Sequence, residues 1–320
     1  VRTALNQISK SVDINFQQIS DRGFNYSTQS SRNQRGRIRI MTDGNGASSG
    51  SSHGPAGGNS RSGGETFFRP YVQGTRFEDV VNNTATRKGW ARNGISFINK
   101  SYHTIMHELL HSLGLGHGHD FGASNSAPHT RESDHLYNTV QSYTRFADNN
   151  TIVTSPMPDD IHALQNIYGA RPLNSTNTTY IFKRSDLYKS ATRAQLLERA
   201  IYDRTIANIN TLDDSGGNDW LDFSDVRSVM HREGVRVDMR PGGYIFGQSD
   251  WRNAGSVRSH NSSTQIENMP VKGTRLSWRT TIENLLGTEA GSDTIIGNTS
   301  RNRIYTYGGN DFITDEQKSR

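Results

Sequence analysis

The sequence predicts an α+β chain, with mixed helix and strand over residues 1–172 and a β-rich part over 173–320. Three observations predict it. Apolar residues recur at helical spacing near residues 103–113 and 161–168. Strand-like runs lie beside these helices in the first part. From 173 onward the apolar pieces become short (TTYIF, WLDF, GVRVDM, GYIF) and are punctuated by Gly, Asn and Asp. A chain of 320 residues is long enough to bury two cores, and the change of character at 173 places the boundary near 172.

Val1, Leu5, Ile8 and Val12 have helical spacing, and 14–16 turns strand-like. GRIRIMTD (36–43) alternates as a strand does. Residues 44–64, rich in Gly and Ser, bury too little to offset ordering and read as a long loop. ETFFRPYV (65–72) is strand-like, with Pro70 marking an edge or an end. Pro158, Asp159 and Asp160 open a helix through IHALQNIY, and Gly169 and Pro172 stop it.

GGNDWLDF (216–223), GSDTIIGN (291–298) and GGNDFITD (308–315) share a G-x-D-x-apolar pattern. Asp293 and Asp311 lie eighteen residues apart, twice the nine-residue period of calcium-binding parallel β-rolls. Two readings stay open for Asp219, Asp293 and Asp311: a short calcium-roll remnant that holds Ca2+, or ordinary Gly/Asp turns.

Thirty-six Lys+Arg against 31 Asp+Glu gives a net charge of +5, scattered without a like-charge run, so no nucleic-acid partner is expected. The chain has no cysteine, which excludes disulfides, thiolate metal sites and a cysteine nucleophile. No apolar stretch reaches the length of a membrane span. The opening VRTALNQ, without Met or an apolar signal core, suggests a processed form or a fragment.

HELLHSLGLGH (107–117) carries the chemistry. His107 and His111 fall on one helix face, separated by about 6 Å of rise, so both rings can reach one cation. Glu108 projects near that cation without ligating it, where a base would take a proton from water. Gly114 can take positive φ and turn the chain so that His117 returns as a third ligand. Three nitrogens leave one position open, the pattern of a catalytic zinc site. An apolar helix with exposed histidines explains the first two positions but not Gly114 and His117 at fixed offsets. His53, His119, His129, His135 and His162 read as surface or loop histidines.

The motif H-E-x-x-H-x-x-G-x-x-H resembles that of the metzincin zinc peptidases, and the chain looks like the serralysins among them, secreted bacterial endopeptidases with an RTX-type C-terminal β domain. SYTRF (142–146) resembles their segment with a tyrosine ligand, TSPMPDDIHALQNIYGA (154–170) the helix closing their catalytic domain, and IENLLGTEAGSDTIIGN (282–298) the entry to their calcium roll. The resemblance implies a twisted sheet domain with a central zinc helix and an all-β C-terminal domain. It implies Zn2+ on His107, His111, His117 and Tyr143, with Glu108 as general base and Tyr143 swinging to the oxyanion. GGETFFRPY (63–71) would line the cleft and pair with substrate backbone. Substrates would be proteins or peptides, and the protein an extracellular monomer.

The chain departs from the family in four ways. Gln141 replaces the methionine beneath the metal and brings an amide that needs partners, at an expected cost in packing or zinc affinity. Gly118 stands where proline is usual, the first strand has no counterpart, and most nonapeptide repeats are missing. Gln141 and Gly118 motivate an alternative, a catalytically impaired metzincin that keeps zinc and binds protein partners. A third reading takes the C-terminal half as a calcium-dependent adhesion or secretion module.

Overall fold

The computed structural model describes residues 1–19, 38–42, 50–52, 65–68, 94–118, 133–144, 153–182, 209–226, 233–247, 257–258, 265–266 and 273–315. Three helices lie among them: α1 (Arg2–Ser11), α2 (Gly94–Ser112) and α3 (Pro158–Tyr168). Helix α1 follows its apolar spacing and buries Ala4 and Ile8 on one face. The segment after it, expected to be strand-like, is irregular. Its one isolated bridge joins Val12 to Ala170, and the Asp13 amide donates to the Gly169 carbonyl at 2.9 Å. Helix α2 begins nine residues before the expected start at 103. Pro158 opens α3 with Asp159 and Asp160 in its first turn, and Gly169 ends it at φ 92°.

Strands β1 (Arg39–Thr42), β2 (Gly50–Ser52) and β3 (Glu65–Phe68) form a sheet in the order β1-β3-β2. β1 and β3 are parallel, and β2 is antiparallel to β3. β2 lies inside the segment read as loop. Strand pairing uses backbone groups that Gly and Ser also carry, so composition hid it. Residues 43–49, 53–64 and 69–72 of these sequence readings lie outside the described residues.

The first core joins Ala4, Ile8 and Val12 to Tyr102, Met106, Leu109, Leu110, Leu113, Met157 and Leu164. The three helices thus bury their apolar faces in one shared core.

Downstream, β4 (Thr179–Ile181), β6 (Trp220–Asp222), β12 (Asn284–Leu286) and β14 (Arg303–Tyr305) form an all-parallel sheet in the order β14-β12-β6-β4. A second sheet runs β15-β13-β7-β8-β11-β5, from β5 (Ile209–Leu212), β7 (Glu233–Asp238), β8 (Tyr244–Gly247), β11 (Gly273–Leu276), β13 (Ser292–Ile296) and β15 (Phe312–Thr314). β9 (Val257–Arg258) and β10 (Gln265–Ile266) pair separately.

The chain passes from the first of these sheets to the second at β6–β7, β12–β13 and β14–β15. Pairing of Asn284 with Arg303 and of Thr294 with Phe312 sets the repeat at 303 − 284 = 19 and 312 − 294 = 18 residues. That matches the spacing of Asp293 and Asp311. Phe182, Leu221, Phe223, Val235, Val237, Leu285 and Ile295 fill a second core, where Phe182 and Phe223 stack at 4.6 Å between ring centres.

The two parts of the fold meet at β5. Val153 bridges Ile209, the Thr154 amide donates to the Ile209 carbonyl at 2.9 Å, and the Thr211 amide donates to Ser155 Oγ at 2.8 Å. Among the described residues no helix is long and apolar enough to cross a membrane.

Candidate metal centre

His107 and His111 stand one turn apart on α2, while Leu109, Leu110 and Leu113 of the same helix are buried in the first core. The helix ends where Gly114 takes φ 104°, a conformation costly for any residue with a Cβ. The Gly114 amide closes on His111 O at 2.9 Å and the Leu115 amide on Leu110 O at 3.1 Å. The chain then reverses and carries His117 back to the helix.

The three histidines converge. Nε2 of His107 lies 3.1 Å from that of His111 and 3.2 Å from that of His117, and the last two are 3.1 Å apart. His107 Nδ1 is 2.9 Å from the Val140 carbonyl, and His111 Nδ1 is 2.6 Å from the Leu115 carbonyl. A carbonyl oxygen only accepts, so each Nδ1 carries the proton and each Nε2 keeps its lone pair. Burial, then the neighbouring His103, lowers the His107 pKa to about 3, which keeps it neutral. Lone pairs aimed at one another repel unless a cation lies between them.

Among the described residues, His107, His111 and His117 form a group able to hold a metal ion. A triangle of 3.1 Å sides has its centre about 1.8 Å from each corner, against a zinc–nitrogen bond of about 2.0–2.1 Å. The all-imidazole donor set therefore fits zinc.

Glu108 is 6% exposed, and burial raises its carboxyl to about pKa 7. Tyr143 is 41% exposed, with its ring 4.6 Å from that of His117 and 5.7 Å from that of His107, centre to centre. The segment 133–144 thus brings a phenol beside the triad and supplies the acceptor that orients His107.

That segment is tied down by Asp160. Its Oδ1 accepts from Thr139 Oγ1 at 2.6 Å, and its Oδ2 accepts from the amides of Val140 at 2.8 Å and Met157 at 2.9 Å. Burial raises the Asp160 pKa to about 7 against the pull of those bonds. Gln141 is 2% exposed and donates through Nε2 to the His107 carbonyl at 2.8 Å. The expected cost of its amide is thus half met, since Nε2 has a partner and Oε1 has none among the described residues. The substitution leaves the triad converged.

The three aspartates lie elsewhere, and no metal-capable group among the described residues includes them. Asp219 Oδ1 accepts from the Thr178 amide at 2.7 Å. Asp293 Oδ1 accepts from the Val235 amide at 2.8 Å, and Asp311 Oδ1 from the Asp293 amide at 2.9 Å. Each carboxylate stitches its own strand to a neighbouring one. His162 is exposed and His135 half-buried, as expected of surface histidines, whereas His53, His119 and His129 lie outside the described residues.

Sequence reading missed the Val140 and Leu115 carbonyls, which carry no side-chain signature. It also read Asp160 only as a helix-start acid. The TSPMPDD stretch held no hint that one carboxylate collects three donors.

Three converging imidazoles form a candidate metal centre. Known proteins narrow the class. The chain is 28% identical over 221 residues to metallopeptidase AprA of Pseudomonas marginalis, covering 63% of this chain and 38% of that protein. It is 26% identical over 237 residues to a serralysin of Photorhabdus luminescens, covering 69% and 41%. It is 29% identical over 210 residues to a serralysin of Proteus mirabilis, covering 63% and 36%. The matches thus span about two fifths of the length of these curated relatives. No family model matches the chain. The similarities support a serralysin-like metalloprotease, and the α+β fold with its mixed sheets is consistent with one.

Proposed function

We propose that the protein is a secreted zinc endopeptidase of the metzincin type, with a catalytic domain over 1–172 and a β-rich domain over 173–320. The convergence of three Nε2 atoms within 3.1–3.2 Å carries the proposal. His107, His111 and His117 would hold the ion, with Tyr143 as a further ligand at rest. A bound zinc supplies Lewis acidity toward the scissile carbonyl and lowers the pKa of water.

The remaining steps belong to the chain. Val140 and Leu115 fix the tautomers of His107 and His111. Glu108 accepts a proton from the attacking water and delivers it to the departing amine. Its raised pKa suits both transfers, because a base near neutrality gives up the proton as readily as it takes it. The Tyr143 hydroxyl donates a hydrogen bond to the oxyanion. Strand β3, expected to lie at an edge and pair with substrate, is instead flanked by β1 and β2, so its backbone is already paired on both sides. Substrates are proteins or peptides, and the protein works as a monomer outside the cell.

Elemental analysis paired with digestion of casein, with and without chelator, tests the reading. About one zinc per chain and chelator-sensitive cleavage are expected. Zinc without turnover on any unstructured substrate would instead favour the binding-module alternative. Asp219, Asp293 and Asp311 remain candidates for Ca2+ on the family resemblance alone. An unchanged melting temperature at millimolar calcium would remove them.

A further inference from the structure

From the packing of β11 we infer that the C-terminal sheet positions the metal centre, with Arg275 as the positioning residue. Arg275 donates through one terminal nitrogen to Asn138 Oδ1 at 2.9 Å, through the other to the Gly242 carbonyl, and through Nε to the Gly243 carbonyl at 3.1 Å. Its guanidinium also lies over the Tyr137 ring, 5.4 Å from the centroid. Two residues earlier on the same strand, a Cβ on Gly273 would stand 2.5 Å from the Tyr137 hydroxyl. Residues two apart on a strand face the same way. Gly273 leaves the room and Arg275 the lid, and Tyr137 fits between them.

The contacts continue to the histidines. Asn138, turned by Arg275, sends Nδ2 to the Ser133 carbonyl at 2.9 Å, and its own carbonyl accepts from the Asp159 amide at 3.0 Å. Trp278, just beyond β11, donates to Asp159 Oδ1 at 2.6 Å. Two residues past Asn138, the Val140 carbonyl orients His107. The planar guanidinium fork, with three fixed donor directions, sets the angle of the 137–140 turn in a way a point charge does not.

For its catalytic meaning the inference rests on the peptidase reading. Its structural content does not. The test compares full-length R275Q with R279Q. Arg279 also crosses between the two parts, to Asp213 and the Arg171 carbonyl, but none of its bonds goes to the 133–144 segment. Hydrogen exchange on metal-free protein, at equal distance below each melting point, reads the Val140 amide. R275Q should exchange it at least about tenfold faster than R279Q does, and equal rates overturn the inference.

In the metal-loaded protein, R275Q should alter the cobalt-substituted absorption spectrum. It should also lower kcat on the order of tenfold with KM unchanged, while R279Q does neither. Faster exchange with an unaltered spectrum and kcat overturns the catalytic part. If even the wild type takes up no metal, the peptidase reading fails and the exchange result still decides this one. Should R275Q not fold, R275K keeps the charge, loses the fork and is judged by the same criteria.

Discussion

The side-chain amide of Gln141 donates to the backbone carbonyl of His107 at 2.8 Å, while the Val140 carbonyl lies 2.9 Å from the His107 ring. Consecutive residues of one turn thus grip the first histidine by its backbone and by its imidazole. The same amide leaves Oε1 buried without a partner among the described residues.

This relationship predicts the outcome of Q141M. A methionine of equal length gives up one hydrogen bond, worth about 1 kcal/mol, and removes an unsatisfied oxygen costing about 1–3 kcal/mol. The variant should be as stable as the wild type or more stable by about 1 kcal/mol, with zinc retained. Q141A leaves a cavity in place of the amide and should lose about 1–3 kcal/mol. Urea unfolding measures both, and a Q141M less stable than Q141A would contradict the account.

On the proposed reading, Glu108 moves protons and does not ligate. E108A should keep stoichiometric zinc and lose cleavage by at least about a hundredfold. Elemental analysis and a quenched-fluorescence peptide assay on the same sample decide it. Appreciable turnover by E108A would remove Glu108 from the base role.

Removing the metal leaves three imidazole Nε2 atoms facing one another within 3.1–3.2 Å. Chelation should therefore destabilise the fold. At zinc 100-fold above its Kd, the linkage contribution is about 2.7 kcal/mol. Calorimetry with and without chelator should show the lower melting point in the chelated sample. H111A should lose most of that difference.

Asp160 gives a pH dependence of defined sign. Burial raises its folded pKa to about 7, from the roughly 3.9 of a free aspartate. Between these values the folded state holds the proton more tightly than the unfolded chain does. Stability therefore falls as pH rises from about 4 to about 7, by at most about 1.4 kcal/mol per unit, and is level above. D160N cannot titrate, so its stability should lack this slope. Melting curves across that range test it, and parallel profiles for the two proteins would assign the slope elsewhere.

Much of the site was legible because its chemistry lies in one short segment. HELLHSLGLGH holds all three rings and the carboxylate, and helical periodicity plus one glycine is enough to converge them. Tyr143 was legible only through a family pattern, because it comes from a separate turn. Arg275 and Tyr137 gave no signal, and Asp160 gave only that of a helix start. Each acts through contacts between segments far apart in sequence, which periodicity does not encode. In the fold, α3 was readable from its proline, acids and terminal glycine. β2 was not, because pairing through the backbone leaves no mark in a Gly/Ser-rich run. The alternation between sheets was half visible, since the eighteen-residue spacing appeared in the aspartates before any strand was placed.

Asn138 and Arg275 are 137 residues apart. A ribosome adding about 5–20 residues per second needs roughly 7–30 s to travel between them. During that interval the histidine segment has emerged without the strand that steadies it. A nascent chain thus carries its converging histidines on an unsteadied turn until β11 has followed them out of the ribosome.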